Sequence, residues 1–197
     1  MATVETVTLK GAHGSLVPLS LEHAEALGVA ATEGDLHKLW YTDIPSPESM
    51  EENIRLRLAR QAQGEMLPFT VLDTAGVPVG MTTFANIDAV TPRVEIGYTW
   101  YARRVQRTTL NTQCKRLLLG HAFEHLGCIA VEFRTSSYNR ASRRAIERIG
   151  ARLDGILRSH RLHSNGVLRD TCVYSIIAGE WPGVKVQLDA MLAGIVR

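Results

Sequence analysis

Apolar positions along this chain recur in two periods, and the periods trade places in a regular order. "VETVTLKG", residues 4–11, alternates apolar and polar and predicts a strand. "SLEHAEALGVAA", residues 20–31, opens on a Ser cap and predicts a short helix. Residues 46–64 predict a longer helix, with Ser46 as cap, Pro47 in the first turn, acids early, Arg60 late and Gly64 at the end. Three apolar runs follow at 66–73, 77–87 and 94–101, joined by short turns at Thr74-Ala75-Gly76 and near Thr91-Pro92. That spacing predicts an antiparallel meander.

The period then lengthens. Residues 109–127 place Leu110, Cys114, Leu117, Leu118, Ala122 and Leu126 on one helical stripe closed by Gly127. "CIAVEFRT", 128–135, predicts a strand. "NRASRRAIERIG", 139–150, predicts a helix with Asn139 as cap and Ala141, Ala145 and Ile149 facing inward. Residues 151–162 and 167–177 predict two strands joined by Ser164-Asn165-Gly166, a strong hairpin signal, and 180–192 a closing helix. The class is α+β. The helix between the third meander strand and "CIAVEFRT" is a crossover, so those two strands are expected to lie parallel and adjacent. No repeat or linker divides the sequence, and residues 1–197 are expected to form a single domain.

Composition narrows the function. The 45% hydrophobic content is that of a globular protein, and no run approaches the ~18 apolar residues of a membrane span. The start of the chain lacks a signal pattern, and three cysteines form no framework, so the expected compartment is the cytoplasm. The net charge of +2 hides a polarity: residues 1–102 carry 6 Lys/Arg and 13 Asp/Glu, whereas 103–169 carry 14 and 4. Such a basic segment favours an anionic ligand. Its arginines are not interleaved with aromatics, as a nucleic-acid stacking platform would require, and neither nucleic acid nor membrane is an expected partner. The basic segment opens on "QRTTLNT", Gln106 to Thr112, a polar loop between a strand and a helix. A helix start with a cation nearby is suited to phosphate, yet this loop has no glycine.

With "EIGYTW" before that loop, "NRASRRAIERIGARLDGILR" after it, then "RD", "YSI" and "EW", the sequence resembles the GNAT superfamily of acyl-CoA-dependent N-acyltransferases. The branch it is most similar to is that of the ribosomal-protein serine and alanine N-acetyltransferases, the RimL/RimJ-like enzymes. The resemblance runs from about residue 16 to Trp181 and rests on the order and spacing of these pieces. It implies a GNAT fold: a central mixed, mostly antiparallel sheet with flanking helices and a splayed central strand pair. It implies transfer of an acetyl or related short acyl group from acetyl-CoA to a primary amine, by direct attack in a ternary complex, without a metal.

The resemblance also carries roles residue by residue. Tyr98, Thr99 and Trp100 would pair with the pantetheine arm. Gln106, Arg107, Thr108, Thr109, Leu110, Asn111 and Thr112 would wrap the pyrophosphate; Thr109 and Asn111 stand where the family has glycine and a second small residue. Asn139 would reach the pantetheine, and Ser142 would hold the sulfur, the alternative being a first-turn serine bonded to its own helix. Ile146 occupies the position at which many relatives carry a tyrosine acid. Glu95, on the apolar central strand, is the candidate general base, or else a carboxylate paired with Arg93. His160 and Tyr174 are weaker candidates, read as structural.

Two rival readings remain in the residues. "HAFEH", His121 to His125, fits an inverted zinc-peptidase motif, but it falls on the packed helix and lacks a further ligand in a suitable later helix. Thr109 and Ile146 motivate a GNAT-like domain that binds acyl-CoA or another ligand without catalysis. The acceptor, a small-molecule amine or a protein N-terminus, has no code in the sequence, and a homodimer is left open.

Overall fold

The computed structural model describes residues 4–196. Eight strands form one sheet: β1 (Leu9–Gly11), β2 (Gly14–Pro18), β3 (Met66–Leu72), β4 (Pro78–Asp88), β5 (Arg93–Tyr101), β6 (Ala130–Ser136), β7 (Arg152–Leu162) and β8 (Leu168–Ile177). Their spatial order is β1-β2-β3-β4-β5-β6-β8-β7. Five α-helices accompany them: α1 (Ala24–Thr32), α2 (Pro47–Ala62), α3 (Leu110–Gly120), α4 (Arg140–Arg148) and α5 (Trp181–Leu192). This is the α+β class expected from the order of periods. The meander is β3-β4-β5, and α3 carries the chain over to β6, which lies parallel to β5. Every other pairing is antiparallel.

The first strand is shorter than its alternation suggests. Only Leu9–Gly11 pairs, against the hairpin partner β2, while Val4 and Val7 pack on the core without a ladder. β2 itself was not anticipated, because "GSLVP" is short and bracketed by Gly and Pro. Ser20 caps the next segment as expected, accepting from Glu22 N–H, and His23 closes a capping box; the first turn there is 3₁₀ before α1 begins. The long stripe of α3 is buried at Leu110, Cys114 and Leu118 and continues through Ala122 and Leu126, with a π-helical turn over His121–His125. Glu124 in that turn accepts from Trp181 Nε1 at 2.9 Å and Lys185 Nζ at 2.8 Å, while the His121 and His125 rings stack on each other at 5.3 Å.

The central parallel pair is held by three register partners alone, Arg93–Ala130, Val94–Val131 and Glu95–Glu132. Beyond them β5 keeps β4 and β6 keeps β8, so the facing edges separate. The expected splay is present. Two bulges accompany it. On β5, Tyr98 and Thr99 together oppose Thr82; on β4, Asn86 and Ile87 oppose Val94.

The β4–β5 contact leaves no room at Gly80, where an added Cβ would overlap the main-chain carbonyl of Trp100. Backbone cannot swing aside as a side chain can. Gly80→Ala should therefore destabilise the protein by about 3 kcal/mol, the upper range for overpacking, read as a lower midpoint in urea unfolding. An unchanged midpoint would show that the two strands can part at this point without cost.

Candidate functional site

The separation of β5 and β6 opens a cavity of about 670 Å³. Glu95 lines its closed end, Gln106, Arg107 and Asn111 line the end near α3, and the 36–44 segment and the β7–β8 hairpin form further walls. Of the residues singled out in the sequence, Glu95, Tyr98, Thr99, Trp100, Gln106, Arg107, Asn111, Asn139 and Ser142 all border it.

Glu95 is only 8% exposed. Burial pushes its carboxyl above the ordinary range, against an Asn86 hydrogen bond and the Arg134 charge, which draw it down. Asn86 Nδ2 donates to Oε2 at 2.6 Å, and Arg134 Nε lies 3.7 Å from the same oxygen. The partner suggested by sequence, Arg93, is elsewhere: its Nη2 pairs with Glu132 at 2.6 Å. Glu132 also takes Arg134 Nη2 at 3.0 Å, so Glu95 is left with the longer contact. Oε1 of Glu95 accepts no hydrogen bond among the described residues. It lies over Gly97, where an added Cβ would approach it to 2.7 Å.

The bulges aim these groups. Asn86 (φ 47°), Tyr98 (φ 52°) and Arg107 (φ 62°) are left-handed without being glycine, and all three line the cavity. Ser159 (φ 48°), beside His160, is another, in the β7 bulge. Strained backbone at one site is the usual mark of a position held for a ligand. The Tyr98 ring is clamped by the buried Arg57, whose guanidinium carbon stands 4.8 Å from the ring centroid.

At the other end, Thr109 has helical angles (φ −68°, ψ −14°), so its β-branch causes no backbone strain. Thr109 is the N-cap and makes no side-chain cap bond; beside it the Thr108 hydroxyl donates to Val105 O at 2.7 Å and accepts from Leu110 N–H at 3.3 Å. The left-handed residue in the loop is Arg107. Among the described residues the N–H groups of Arg107, Thr108, Thr109, Asn111 and Thr112 find no acceptor. Several free donors at one helix start suit an anion. Thr108, Thr109, Leu110 and Thr112 do not line the cavity. Leu110 is buried in the core, and Thr112 accepts from Arg148 Nη2 at 2.9 Å. Gln106 Nε2 donates to Tyr101 O at 2.9 Å.

Asn139 caps α4, its Oδ1 accepting from Ser142 N–H at 3.0 Å. The Ser142 hydroxyl has no partner among the described residues, and Ile146 adds an apolar wall one turn on. Tyr174 is outside the cavity, donating to Glu147 at 2.7 Å and accepting from Arg143 at 2.9 Å. His160 borders the cavity with Nδ1 3.1 Å from Thr171 Oγ1. All three cysteines are buried, and burial pushes Cys114 up to about 12 and Cys128 up to about 11, which makes both poor nucleophiles.

Sequence reasoning missed Lys115. It is 6% exposed, and its ammonium donates to Thr99 Oγ1 at 3.3 Å and faces the Phe133 ring across the fork at 5.8 Å. Burial lowers its pKa to about 8. The only signal for it was its place on the buried stripe beside Cys114, where a charge is out of pattern.

A family profile described as "Acetyltransferase (GNAT) domain" matches residues 15–152. The chain is 36% identical over 106 residues to "Putative ribosomal N-acetyltransferase YdaF" of Bacillus subtilis, a match covering 54% of this chain and 57% of that protein. Among solved structures, a GCN5-related N-acetyltransferase from Brucella melitensis superposes with a TM-score of 0.84 at 28% identity, over 97% of this chain and 87% of the other. A "putative acetyltransferase" from T. thermophilus superposes at 0.83 with 30% identity, over 98% and 100%.

The Asn86 bond holds the Glu95 carboxyl below where burial alone would put it. Asn86→Gly keeps the left-handed backbone and deletes the amide. The Glu95 pKa should rise, read from the carboxyl carbon shift in an NMR titration. A fall, or no change, would show that the amide does not stabilise the ionised form.

Proposed function

From its membership of the GNAT acetyltransferase family, to which the chain belongs, we propose that this protein is an N-acetyltransferase acting on a primary amine with acetyl-CoA as donor. The observation that carries the reading is the fork itself. One cavity runs from Arg107 and Asn111, whose N–H groups are free among the described residues at the start of α3, to the buried carboxylate of Glu95. The name of the Bacillus subtilis relative supports a protein N-terminus as the acceptor class.

The residues present fit the donor. The free N–H groups from Arg107 to Thr112, with the helix dipole behind them, suit its pyrophosphate. The unpaired edge of β5 at Tyr98–Trp100 and the Lys115 ammonium suit the amide groups of the pantetheine arm. Bound acetyl-CoA supplies the acetyl group and departs as the thiol. Glu95 lines the cavity and its Oε1 accepts no hydrogen bond among the described residues; this oxygen accepts the proton that the attacking amine must lose. The Asn86 hydrogen bond fixes the carboxylate through Oε2, with the Arg134 charge 3.7 Å from the same oxygen, and leaves Oε1 open. The Ser142 hydroxyl is a free donor on the same wall and takes the place of the acid absent at Ile146. Water is limited by the apolar residues Ile96, Phe133 and Ile146 around the fork. The buried, high-pKa thiols argue for direct attack over a cysteine intermediate.

Acetyl transfer from acetyl-CoA to N-terminal peptides tests the activity. Glu95→Gln should lower kcat about 10²-fold, the usual contribution of a general base, with CoA affinity retained. Because the base must be ionised, wild-type kcat should fall as pH drops through the raised Glu95 pKa. In Asn86→Gly that limb should move to higher pH. Binding of CoA without transfer to any amine would favour a ligand-binding domain instead.

Thr109→Gly and Lys115→Met separate the two ends of the fork. With helical angles at Thr109, glycine there should gain no CoA affinity and should cost up to ~1 kcal/mol of stability. Lys115→Met should weaken CoA about tenfold, the scale of a hydrogen bond to a charged group. A tenfold gain in the glycine variant, in titration calorimetry, would mean that Thr109 crowds the pyrophosphate.

A further inference from the structure

Arg161 on β7 and Arg169 on β8 are direct register partners across the hairpin, and both line the cavity. Like charges placed opposite each other on antiparallel strands are destabilising. Among the described residues neither arginine forms an ion pair, and Arg169 Nε is buried with no acceptor. The arrangement is therefore a cation pair, Arg161 exposed and Arg169 half-buried, with no direct carboxylate partner among the described residues and with both residues lining the same cavity as Glu95. The β7 bulge produces it: between Leu157–Thr171 and Arg161–Arg169 the longer strand takes up its extra residues at Ser159, and Asp170 Oδ1 fixes the turn by accepting Ser159 N–H at 2.8 Å.

The surrounding charges agree. Six Lys/Arg side chains line the cavity against two carboxylates, Asp43 and Glu95. Arg134 is committed to Glu132, and Arg60 to Glu65 at 2.8 Å, which leaves Arg107, Lys115, Arg161 and Arg169 without an ion pair among the described residues; of these only Arg161 and Arg169 stand opposite each other across a hairpin. Burial and the Arg161 charge both act against the protonated form of Arg169, while Asp43, Glu95 and Tyr98 favour it. The pair belongs to the β7–β8 hairpin and lines the same cavity as Glu95 and Asp43 of the 36–44 segment, whereas the loop that suits pyrophosphate belongs to the start of α3.

We propose that Arg161 and Arg169 form an anion subsite for the acceptor, so that the amine presented to Glu95 belongs to a molecule with a carboxylate close to that amine. The inference rests on the acetyltransferase reading for the amine, and on the arginine pair alone for the anion. Guanidinium forks match carboxylates in bidentate fashion, and an anion between the two cations turns their repulsion into a bridge. The carboxylate has two sources: an acidic side chain next to a protein N-terminus, or the α-carboxylate of a free amino acid.

Calorimetric titration of the protein, with and without CoA, against two matched pairs tests this. Ser-Glu-amide against Ser-Gln-amide asks for a side-chain carboxylate, and free serine against serinamide asks for an α-carboxylate. The acid should bind about tenfold more tightly than its amide in one of the pairs, and which pair identifies the source. The preference should shrink with added salt and fall below about twofold in Arg161→Gln and in Arg169→Gln. Neither substitution should lower the melting temperature, since each removes a repulsion; a purely structural arginine would lower it. Equal binding of acid and amide in both pairs, or a preference kept by both variants, overturns the subsite. If the preference is present and no amine is acetylated, the subsite stands and the acetyltransferase reading falls. If transfer proceeds with no preference, the reverse holds.

Discussion

Three parallel register pairs hold β5 to β6, and the molecule is organised around the fact that there are no more. Each strand keeps an antiparallel partner on its other side, so the parting costs the sheet only the ladder between the facing edges. What keeps the gap open is local. The Tyr98–Thr99 bulge turns the β5 backbone, and Lys115 comes up from α3 to hold Thr99, which in turn meets Thr82 at 2.8 Å. A buried ammonium with one weak partner is costly in isolation. Its presence there is understandable if the fork receives polar groups from outside the chain.

Charge placement follows from the same opening. Glu95 comes at the last paired position, where the fork closes, so it is buried by the sheet yet lines the cavity, with Oε1 free of hydrogen bonds among the described residues. Glu132, its register partner, draws off Arg93 and most of Arg134. That division leaves one structural carboxylate and one available carboxylate side by side, a pair of titratable groups with different environments. The strained residues Asn86, Tyr98, Arg107 and Ser159 border this space or flank it, while the core beneath is built of ordinary apolar packing.

Much of this was legible. The meander, the crossover that makes β5 and β6 parallel, the Asn139 cap and the Ser164-Asn165-Gly166 hairpin follow from periodicity and turn chemistry, and the central splay from the family resemblance. β2 was not legible, because five residues ending in proline lack a pattern. The bulges were not, since Tyr98 and Asn86 adopt left-handed angles that only the opposing strand dictates. Glu95 stood out from its apolar strand, and its placement in the cavity was not legible; the alternative pairing with an arginine such as Arg93 is not formed, since Arg93 meets Glu132, and Arg134 comes near Glu95 only because β6 lies alongside. The Arg161–Arg169 pair could have been found by counting outward from Asn165, since both residues stand four positions from it. The excess of basic residues over 103–169 was visible, but not its division between the loop before α3 and the β7–β8 hairpin.

The central claim is that the fork is a binding slot with its phosphate end at the start of α3. Amide hydrogen exchange resolved by residue, with and without CoA, tests it most directly. Binding should slow exchange at the N–H groups of Arg107, Thr108, Thr109, Asn111 and Thr112 and along the β5 edge at Tyr98–Trp100, and should leave β1, β2 and the outer edge of β7 unchanged. Protection that appears elsewhere while those amides exchange as fast as before would contradict the account.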